Sequence, residues 1–382
     1  MTAIGKIQTG SIVVGIAGAA AFVAAFFLPV QRELIFRAYL FGYLCCLGLA
    51  LGSMCLLMLH ALTGGEWGDR IRPAAHAAML TLPLLALLFI PLCFGLRALY
   101  PWARPEELAG SHTLLHRQAY LNATFFYIRA AAYFVIWIGL ALLVHWRPWA
   151  RALCAPGLII YLMTMTHAGI DWLMSRDIEF YSTAFGFVLT VGQTLSAMAL
   201  AVVLLPLLPK RRPAPSPPAK LALLNDLGNL LLTMVILWAY VAFMQLLVIW
   251  MGNTTEDNGW YLERGLGGGG DSLAWRIVGG IILLFEFFVP FYLLLFRKIK
   301  QRSRSLLATA WILLLAHGAE EYWLVAPSGN DGAARFDPHW VDLAALAGLL
   351  GIWLTAFLLM LGRAPAEAMP EPQSETGAAV HG

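Results

Sequence analysis

Residues 35–60 read IFRAYLFGYLCCLGLALGSMCLLMLH, an almost unbroken apolar run. A helix needs about 20 apolar residues to cross a hydrocarbon core of about 30 Å, because lipid offers its backbone no hydrogen-bond partner. The run therefore predicts a transmembrane helix. Small residues recur along it, a pattern that suits a face on which another helix packs closely, although ordinary packing is the favoured interpretation. They are Gly42, Gly48, Gly52 and Ser53.

The composition extends this prediction to the whole chain. Of its 382 residues, 60% are hydrophobic and 12% charged, whereas a soluble domain carries roughly 25% charged residues. The sequence therefore predicts an all-α fold, a polytopic membrane protein with about ten transmembrane helices and no soluble catalytic domain. The apolar runs fall at about residues 7–30, 35–60, 74–97, 123–144, 153–174, 180–208, 221–251, 273–296, 305–326 and 340–362.

A Pro-rich, basic segment separates two groups of predicted helices. Helices 1–6 are expected within 1–208, a linker at 209–220, helices 7–10 within 221–362 and a disordered tail at 363–382. The five cysteines lie in or beside apolar runs without CxxC spacing, so we expect them to be buried structural residues.

Basic residues are distributed unevenly between the loops. Ten crossings place both termini, the 209–220 linker and the loop at 297–304 on one side, which carries 15 Lys and Arg against 10 on the other. The positive-inside rule assigns this side to the cytoplasm. The net charge of +3 is too small to indicate nucleic acid, so the lipid bilayer is the expected environment.

Several ionisable side chains lie inside the predicted helices, where a charge at the bilayer centre costs about 2.5 to 3.5 kcal/mol on insertion scales. In helix 5, His167 and Asp171 are four residues apart and therefore share a face. In helix 9, His317 precedes Glu320 and Glu321 by three and four residues. Such residues indicate an internal partner or a function.

Depth along the helices groups these side chains further. Five side chains are expected at similar depth in the outer half of the membrane, where they could converge on one buried polar pocket. They are Arg129, His167, Asp171, Glu320 and Glu321. Asp226 is predicted near the cytoplasmic end of helix 7, and Glu286 near the middle of helix 8. Stacked in this way, the groups would form a broken line of proton-exchanging side chains.

The candidate proton-transfer residues are therefore Asp171, His167, Asp226, Glu286, Glu320 and Glu321. Structural alternatives remain open for these positions. Asp226 could cap a helix, Glu286 could lock two helices as a hydrogen-bonded carboxyl group, and Arg129 could be an anchor in the outer interface. His167 and Asp171 could form a structural hydrogen-bonded pair.

Haem is another use for membrane histidines, and it requires two of them at matched depth on facing helices. Of the histidines in or against predicted helices, His60 lies at the end of helix 2, and His167 and His317 could share a level. One haem between them stays an open alternative. No other metal ligand set and no catalytic residue is predicted for this chain.

Five segments resemble one family of membrane proteins. They are LHALTGGEWG at 59–68, HRQAYLNATFFYIR at 116–129, GIDWLMS at 169–175, NDLGNLLL at 225–232 and WAYVAFMQLLVIWMGN at 238–253. In this order, and continuing to WLVAP at 323–327 and the helix at His339-Trp340, they are similar to the second polysulfide-reductase-type (NrfD-like) membrane subunit of bacterial alternative complex III. The resemblance covers nearly the whole chain.

The resemblance implies a subunit of a respiratory-chain quinol:cytochrome c or quinol:oxidase oxidoreductase in the bacterial inner membrane. It implies quinol or menaquinol as the substrate of the complex, with haem and iron-sulfur clusters in the partner subunits. Those partners would be a multihaem cytochrome c, an iron-sulfur protein and a related membrane subunit. It also implies two four-helix bundles with one extra helix at each end. The matching site residues are Asp171, Asp226 and His60.

Three functions follow as hypotheses. The first is a subunit without its own redox centre that supports quinol oxidation and proton transfer. The second is a subunit that binds quinol directly, with His167 or Asp171 as general base and Trp172 and Arg129 as further contacts. The third is a stand-alone secondary transporter, since ten helices in two halves suit alternating access.

Overall fold

The computed structural model describes residues 3–110, 112–177, 179–208, 216–266, 272–327 and 336–363. In these residues the secondary structure is helical, without a β-strand. The helices that build the fold are α1 (Ala3–Ala25), α2 (Arg32–Thr63), α3 (Glu66–Met79), α4 (Leu82–Phe94), α5 (Ala123–Trp146), α6 (Arg151–Trp172), α7 (Phe185–Leu204), α8 (Pro217–Gly252), α9 (Ser272–Ile282), α10 (Val289–Leu295), α11 (Ser303–Val325) and α12 (Trp340–Arg363).

Nine helical spans in the described ranges are long and apolar enough to cross a membrane, as a polytopic membrane protein requires. The predicted run at 305–326 corresponds to α11, which is not one of the nine because His317, Glu320 and Glu321 lower its hydropathy. Its 23 residues still give a helix of about 34 Å. Every predicted apolar run therefore has a helical counterpart.

Two helices, α3 and α4, replace the single helix predicted at 74–97. The chain breaks at Thr81, whose hydroxyl group donates to the carbonyl oxygen of Ala78 at 2.6 Å and accepts from Nε1 of Trp353 in α12 at 2.9 Å. Pro83 in the first turn of α4 has no N–H group with which to continue the helical hydrogen bonds. The break thus has a local cause and a tertiary partner.

The predicted linker is shorter than the 209–220 segment. α8 begins at Pro217, and proline suits the first turn of a helix because the N–H group that it lacks would be unpaired there. Residues 209–215, like the predicted tail from 364 onward, lie outside the described residues.

α2 is the central helix of the fold. In its apolar 18-residue stretch 94% of the residues are buried, against 17% of the residues in the corresponding stretch of α1. α2 packs on α3, α4, α6, α7 and α12. At two of its small residues the neighbouring helices approach closely, against the expectation of ordinary packing. A Cβ atom on Gly52 would overlap the backbone of Gln193 in α7, and one on Gly42 would lie 3.1 Å from Cα of Leu346 in α12.

The first and last helices of the chain pack against each other along α1 and α12. A Cβ atom on Gly18 would overlap the backbone of Gly348, and one on Gly351 would overlap the backbone of Gly15. The two backbones are therefore in direct contact, which only glycine allows. Since α12 also packs on α2, this contact fixes α1 to the rest of the fold.

We expect Gly18→Val to separate α1 from α12 and to lower the free energy of unfolding by about 1–3 kcal/mol, the usual cost of overpacking. The matched control is Gly10→Val on the same helix, because a Cβ atom at Gly10 meets nothing within 4 Å. Thermal unfolding of the purified full chain in detergent measures the difference. Equal melting temperatures for the two variants would contradict the packing described.

Candidate functional site

Asp171 near the end of α6 forms a bidentate ion pair with Arg129 of α5. The Nε–Oδ2 and Nη2–Oδ1 distances are both 2.8 Å, and the Tyr133 hydroxyl group donates to Oδ2 at 2.7 Å. Asp171 is 1% exposed and Arg129 is 7% exposed. Both carboxylate oxygens are thus engaged by donors, and the pair joins two helices.

A carbonyl oxygen and two aromatic rings also contact the Arg129 guanidinium group. Its Nη1 donates to the carbonyl oxygen of Tyr120 at 2.8 Å, and its guanidinium carbon lies 3.9 Å from the Tyr120 ring centre and 4.4 Å from that of Phe125. Burial raises the pKa of Tyr120 to about 12, so this phenol is neutral at physiological pH. Arg129 therefore lies inside the fold and is not an anchor in the interface.

A second buried cluster surrounds His317 of α11. Its Nδ1 lies 3.1 Å from Oε2 of Glu320 and 3.5 Å from Oε1 of Glu286, and its Nε2 lies 3.6 Å from Oε1 of Glu321. All four side chains are buried, and Glu286 has no exposed surface. We call these residues the His317 cluster.

The His317 cluster makes few hydrogen bonds. Nε1 of Trp238 in α8 donates to Oε1 of Glu320 at 2.8 Å, but Nε2 of His317, both carboxyl oxygens of Glu286 and Oε2 of Glu321 have no hydrogen-bond partner among the described residues. Three ionised carboxylates around one imidazole would be prohibitively costly in an apolar interior. The group must therefore share protons.

The local backbone explains how Glu286 reaches the cluster. It lies in a π-helical stretch, Leu283–Phe288, between α9 and α10, a geometry that is rare and frequent at functional sites. Glu286 is buried while Leu284 and Phe285 in the same stretch are exposed. In α7, Gly192 leaves the space that His317 fills, since a Cβ atom there would lie 3.1 Å from Cε1 of His317.

One donor atom each of Glu286, His317 and Glu320 lies within 4.8 Å of the others, a proximity that the sequence spacing did not predict. Nδ1 of His317 and Oε2 of Glu320 lie 3.1 Å apart, a distance at which two such atoms share a hydrogen atom in a hydrogen bond. We therefore interpret the arrangement as a proton-sharing group.

The structure does not gather the five outer residues into one pocket. Arg129 and Asp171 form one pair, while Glu320 and Glu321 belong to the His317 cluster. His167 belongs to neither group in the described residues, because it is exposed and its Nδ1 lies 2.8 Å from the carbonyl oxygen of Met163. Residues four apart in a helix are rotated by about 40°, enough to place one of them beyond the buried face.

The structure does not place His167 and His317 opposite each other, as a haem between them would require. His317 points toward carboxyl groups in the interior, whereas His167 is exposed on the surface of the chain. His60 is buried at the end of α2, where its Nε2 lies 3.0 Å from the carbonyl oxygen of Gly65.

The motif around His60 has a structural explanation in the turn after α2. Gly64 and Gly65 have φ values of 69° and 102°, which side chains other than glycine rarely adopt. A Cβ atom on Gly68 would overlap the His60 ring. The His-x-x-Thr-Gly-Gly segment therefore fixes the α2–α3 turn around a buried imidazole.

Two other candidates lie outside both clusters. Asp226 is exposed on the early turns of α8. Trp172 is buried among aromatic rings, with centroid distances of 4.8 Å to Phe89 and 6.0 Å to Phe134. A cavity of about 320 Å³ beside Tyr120 and Ser175 is not lined by any of the four predicted quinone-contact residues, Arg129, His167, Asp171 and Trp172.

Three buried arginines that the sequence analysis did not single out fix the C-terminal end of α11. Arg264 donates to the carbonyl oxygens of Trp323 and Leu324 at 3.2 and 3.0 Å. Arg176 donates to Val325, and Arg37 to Ala326 at 3.4 Å. Burial lowers the pKa of Arg264 to about 9. These cations satisfy the last carbonyl groups of the helix and offset its negative end. The sequence signal was weak: Arg37 lies within an apolar run and Arg176 just after one, while Arg264 lies in a loop between two runs.

Comparison of the chain with protein-family models and with curated proteins finds no match. The resemblance to the membrane subunits of alternative complex III therefore depends on the sequence segments quoted above. The two buried clusters are independent of that resemblance, because they follow from the geometry of this chain.

We expect Asp171→Asn to destabilise the protein by about 3–5 kcal/mol, since it leaves the buried Arg129 guanidinium without its counter-ion. Denaturant unfolding of the full chain in detergent measures this loss. His167→Ala is the control and should change stability by no more than about 0.5 kcal/mol. The double variant Arg129→Met/Asp171→Leu should recover part of the loss. Equal stability of Asp171→Asn and wild type would contradict the stabilising role of the Arg129–Asp171 ion pair.

Proposed function

We propose that the chain is an integral membrane subunit of a bacterial multi-subunit quinol:cytochrome c, or quinol:oxidase, oxidoreductase. In this proposal it supports quinol oxidation in the respiratory chain and transfers protons through the membrane. The observation that carries the proton-transfer role is the His317 cluster, in which an imidazole lies between three buried carboxyl groups. The place in a quinol oxidoreductase depends on the resemblance of the five sequence segments.

The geometry of the imidazole supports a proton relay. Nδ1 of His317 faces Glu286 and Glu320, while Nε2 on the other side of the ring faces Glu321. A neutral imidazole accepts a proton at one nitrogen and releases one from the other. A proton that enters at Glu286 or Glu320 can therefore leave toward Glu321.

Different roles follow for the remaining candidates. Asp226 has an exposed carboxyl group on the early turns of α8, and we assign it proton exchange with water at the cytoplasmic face. Asp171 is saturated by Arg129 and Tyr133, so we assign it the structural role of holding α5 against α6. His167 has no role in the relay, because it is exposed on α6.

The proposal includes the architecture and the partners. Ten spans with both termini in the cytoplasm would include α11 as the carrier of the relay. The two groups of four spans are part of the proposal: α2 packs on α3, α4 and α6, α7 packs on α8 and α11, and α2 and α7 pack on each other between the two groups. Haem and iron-sulfur clusters would lie in a multihaem cytochrome c and an iron-sulfur protein, beside a related membrane subunit. This chain would contribute no redox centre.

We expect the chain to co-purify in mild detergent with partners that give a haem absorption spectrum and oxidise quinol. In vesicles of this complex, Glu286→Gln and Glu321→Gln should slow proton transfer on the order of a hundredfold, the usual contribution of a positioned proton carrier. The ratio of protons to electrons should fall accordingly. Glu106→Gln is the control, because Glu106 is exposed in a connecting segment.

The two parts of the proposal fail separately. A chain that purifies alone or as a homo-oligomer without haem would exclude the oxidoreductase subunit and favour a transporter. An assembled Glu286→Gln/Glu321→Gln complex with the wild-type ratio would exclude the relay and leave the subunit assignment intact.

A further inference from the structure

A further group of buried polar side chains lies where α2 and α12 begin. Asp342 in the first turn of α12 is 4% exposed, and Arg37 of α2 is 6% exposed. Nη2 of Arg37 lies 3.8 Å from Oδ2 of Asp342, and the same oxygen accepts from the N–H group of His339 at 2.9 Å. The other carboxyl oxygen, Oδ1, has no hydrogen-bond partner among the described residues. This oxygen is therefore available to accept a proton.

Other buried polar atoms without a hydrogen-bond partner gather at the same place. Among the described residues they are Nε of Arg37, the hydroxyl group of Tyr322 in α11 and Nε1 of Trp275 in α9. The Tyr322 ring lies 6.0 Å from that of Trp275, and its hydroxyl group is close to the Asp342 carboxyl group. Internal water molecules usually pair buried polar atoms of this kind. The group therefore suits water that connects its members.

This group is in line with the His317 cluster along the contact between α2 and α11. Residues four apart share one face of α2, and those that follow α11 are Arg37, Phe41 and Cys45. Cys45 is near enough to Glu321 to interact with its charge. The Phe41 ring lies 5.3 Å from that of Tyr322.

The spacing along this line suits proton transfer through water. Four residues span about 6 Å of an α-helix, so the levels of Glu321, Tyr322 and Asp342 follow each other at about that interval. One water molecule bridges about 5.5 Å with two hydrogen bonds. A proton can therefore pass from Glu321 to Asp342 in steps of ordinary hydrogen-bond length.

The line also runs in the direction that the relay requires. In the proposed ten-span arrangement α2 begins, α11 ends and α12 begins at the outer face. Glu321 faces Nε2 of His317, the nitrogen from which the proposed relay releases its proton. Beyond Asp342 lies Asp337, which is exposed and whose carbonyl oxygen accepts from Arg37 at 3.4 Å.

We propose that Asp342 is the outer proton acceptor of the relay, reached from Glu321 through the Tyr322 hydroxyl group and internal water. This inference rests on the proposed relay through the His317 cluster. In the transfer an O–H bond breaks at the Glu321 carboxyl group and one forms at Oδ1 of Asp342, so Glu321 becomes the anion and Asp342 the neutral acid. Tyr322 accepts one proton and donates its own, without net change.

The charges around Asp342 favour onward release to the outer surface. A protonated Asp342 leaves the buried Arg37 guanidinium without its counter-ion, which is costly. The other titratable groups that face Asp342 are Tyr322 from α11, and Asp337 and His339 from the segment that leads into α12. Arg37 therefore returns Asp342 to the anion, and the proton leaves toward the exposed segment at Asp337.

Asp342 has a structural role as well, because its Oδ2 pairs with the N–H group of His339 at the start of α12. An asparagine side chain keeps this hydrogen bond through its amide oxygen but does not take up a proton. Asp342→Asn therefore separates the structural role from proton transfer.

The test uses vesicles of the assembled complex, in which a pH indicator records proton release during quinol oxidation on the side of the membrane that carries Asp342. Asp342→Asn should slow this release on the order of a hundredfold, whereas Asp342→Glu should retain it. Tyr322→Phe should also slow it, because it removes only the hydroxyl group and keeps the ring contacts. Glu106→Gln, at an exposed position in a connecting segment, is the control and should release protons at the wild-type rate.

A second measurement uses the purified full chain. Infrared difference spectra between acid and alkaline pH should contain a carboxyl band that Asp342→Asn removes and Glu106→Gln retains. A helix cap alone does not produce this band, since its carboxyl group need not change protonation.

The outcomes separate this inference from the relay. Wild-type release in Asp342→Asn, with slow release in Glu286→Gln/Glu321→Gln, would overturn the role of Asp342 and leave the relay intact. Wild-type release in Glu286→Gln/Glu321→Gln would exclude the relay and the role of Asp342 with it. An equal loss in Glu106→Gln, or an unchanged infrared band in Asp342→Asn, would also overturn the inference. If Asp342→Asn does not assemble, Tyr322→Phe decides, and a wild-type rate in that variant would overturn it.

Discussion

Charges that lie within apolar helices have to find their partners inside the protein, and this constraint shapes both clusters. At Asp171 charge and hydrogen bonds are matched: one carboxylate meets one guanidinium and one hydroxyl group, and both of its oxygens accept hydrogen bonds. At His317 they are not matched, because three carboxyl groups surround one imidazole. The matched ion pair holds two helices together, whereas the unmatched cluster requires protons shared among its members.

The difference between the clusters also separates stability from function. A satisfied ion pair changes protonation only at a high cost, so Asp171 contributes chiefly to the contact between α5 and α6. Within the part of the chain that the structure describes, acceptor atoms of Glu286 and Glu321 have no hydrogen-bond partner, which a stability argument does not explain. Groups of this kind cluster at functional sites, where strain or an unpaired atom is part of the mechanism.

α11, the helix to which the proposed relay is assigned, is held at its C-terminal end by buried cations. Arg37, Arg176 and Arg264 reach the last carbonyl groups of α11 from three other parts of the chain. Glycine contacts hold the other helices, since the backbones of α2 and α7 meet at Gly52 and those of α1 and α12 meet at Gly18. Close backbone contact and buried cation–carbonyl bonds replace the hydrophobic effect, which gives little drive for association between helices in lipid.

The sequence alone determined the helical class, the position of each apolar run and the presence of ionisable residues within them. These features are local, because hydropathy and helix length depend only on neighbouring residues. It also predicted Asp171, Glu286, Glu320 and Glu321 as buried polar positions, but it could not assign their partners. It missed the break at Thr81, although Pro83 was a local signal of it; the partner that stabilises the break, Trp353, lies at the other end of the chain.

Only the tertiary structure decided which charges meet. Arg129 and Asp171 are 42 residues apart in the chain, and Glu286 reaches His317 through a π-helical stretch that no residue pattern announces. The shared face of His167 and Asp171 was correct as helix geometry, yet only the packing of α6 placed one inside and the other outside. Spacing along a helix fixes relative direction, and the neighbouring helices fix what lies in that direction.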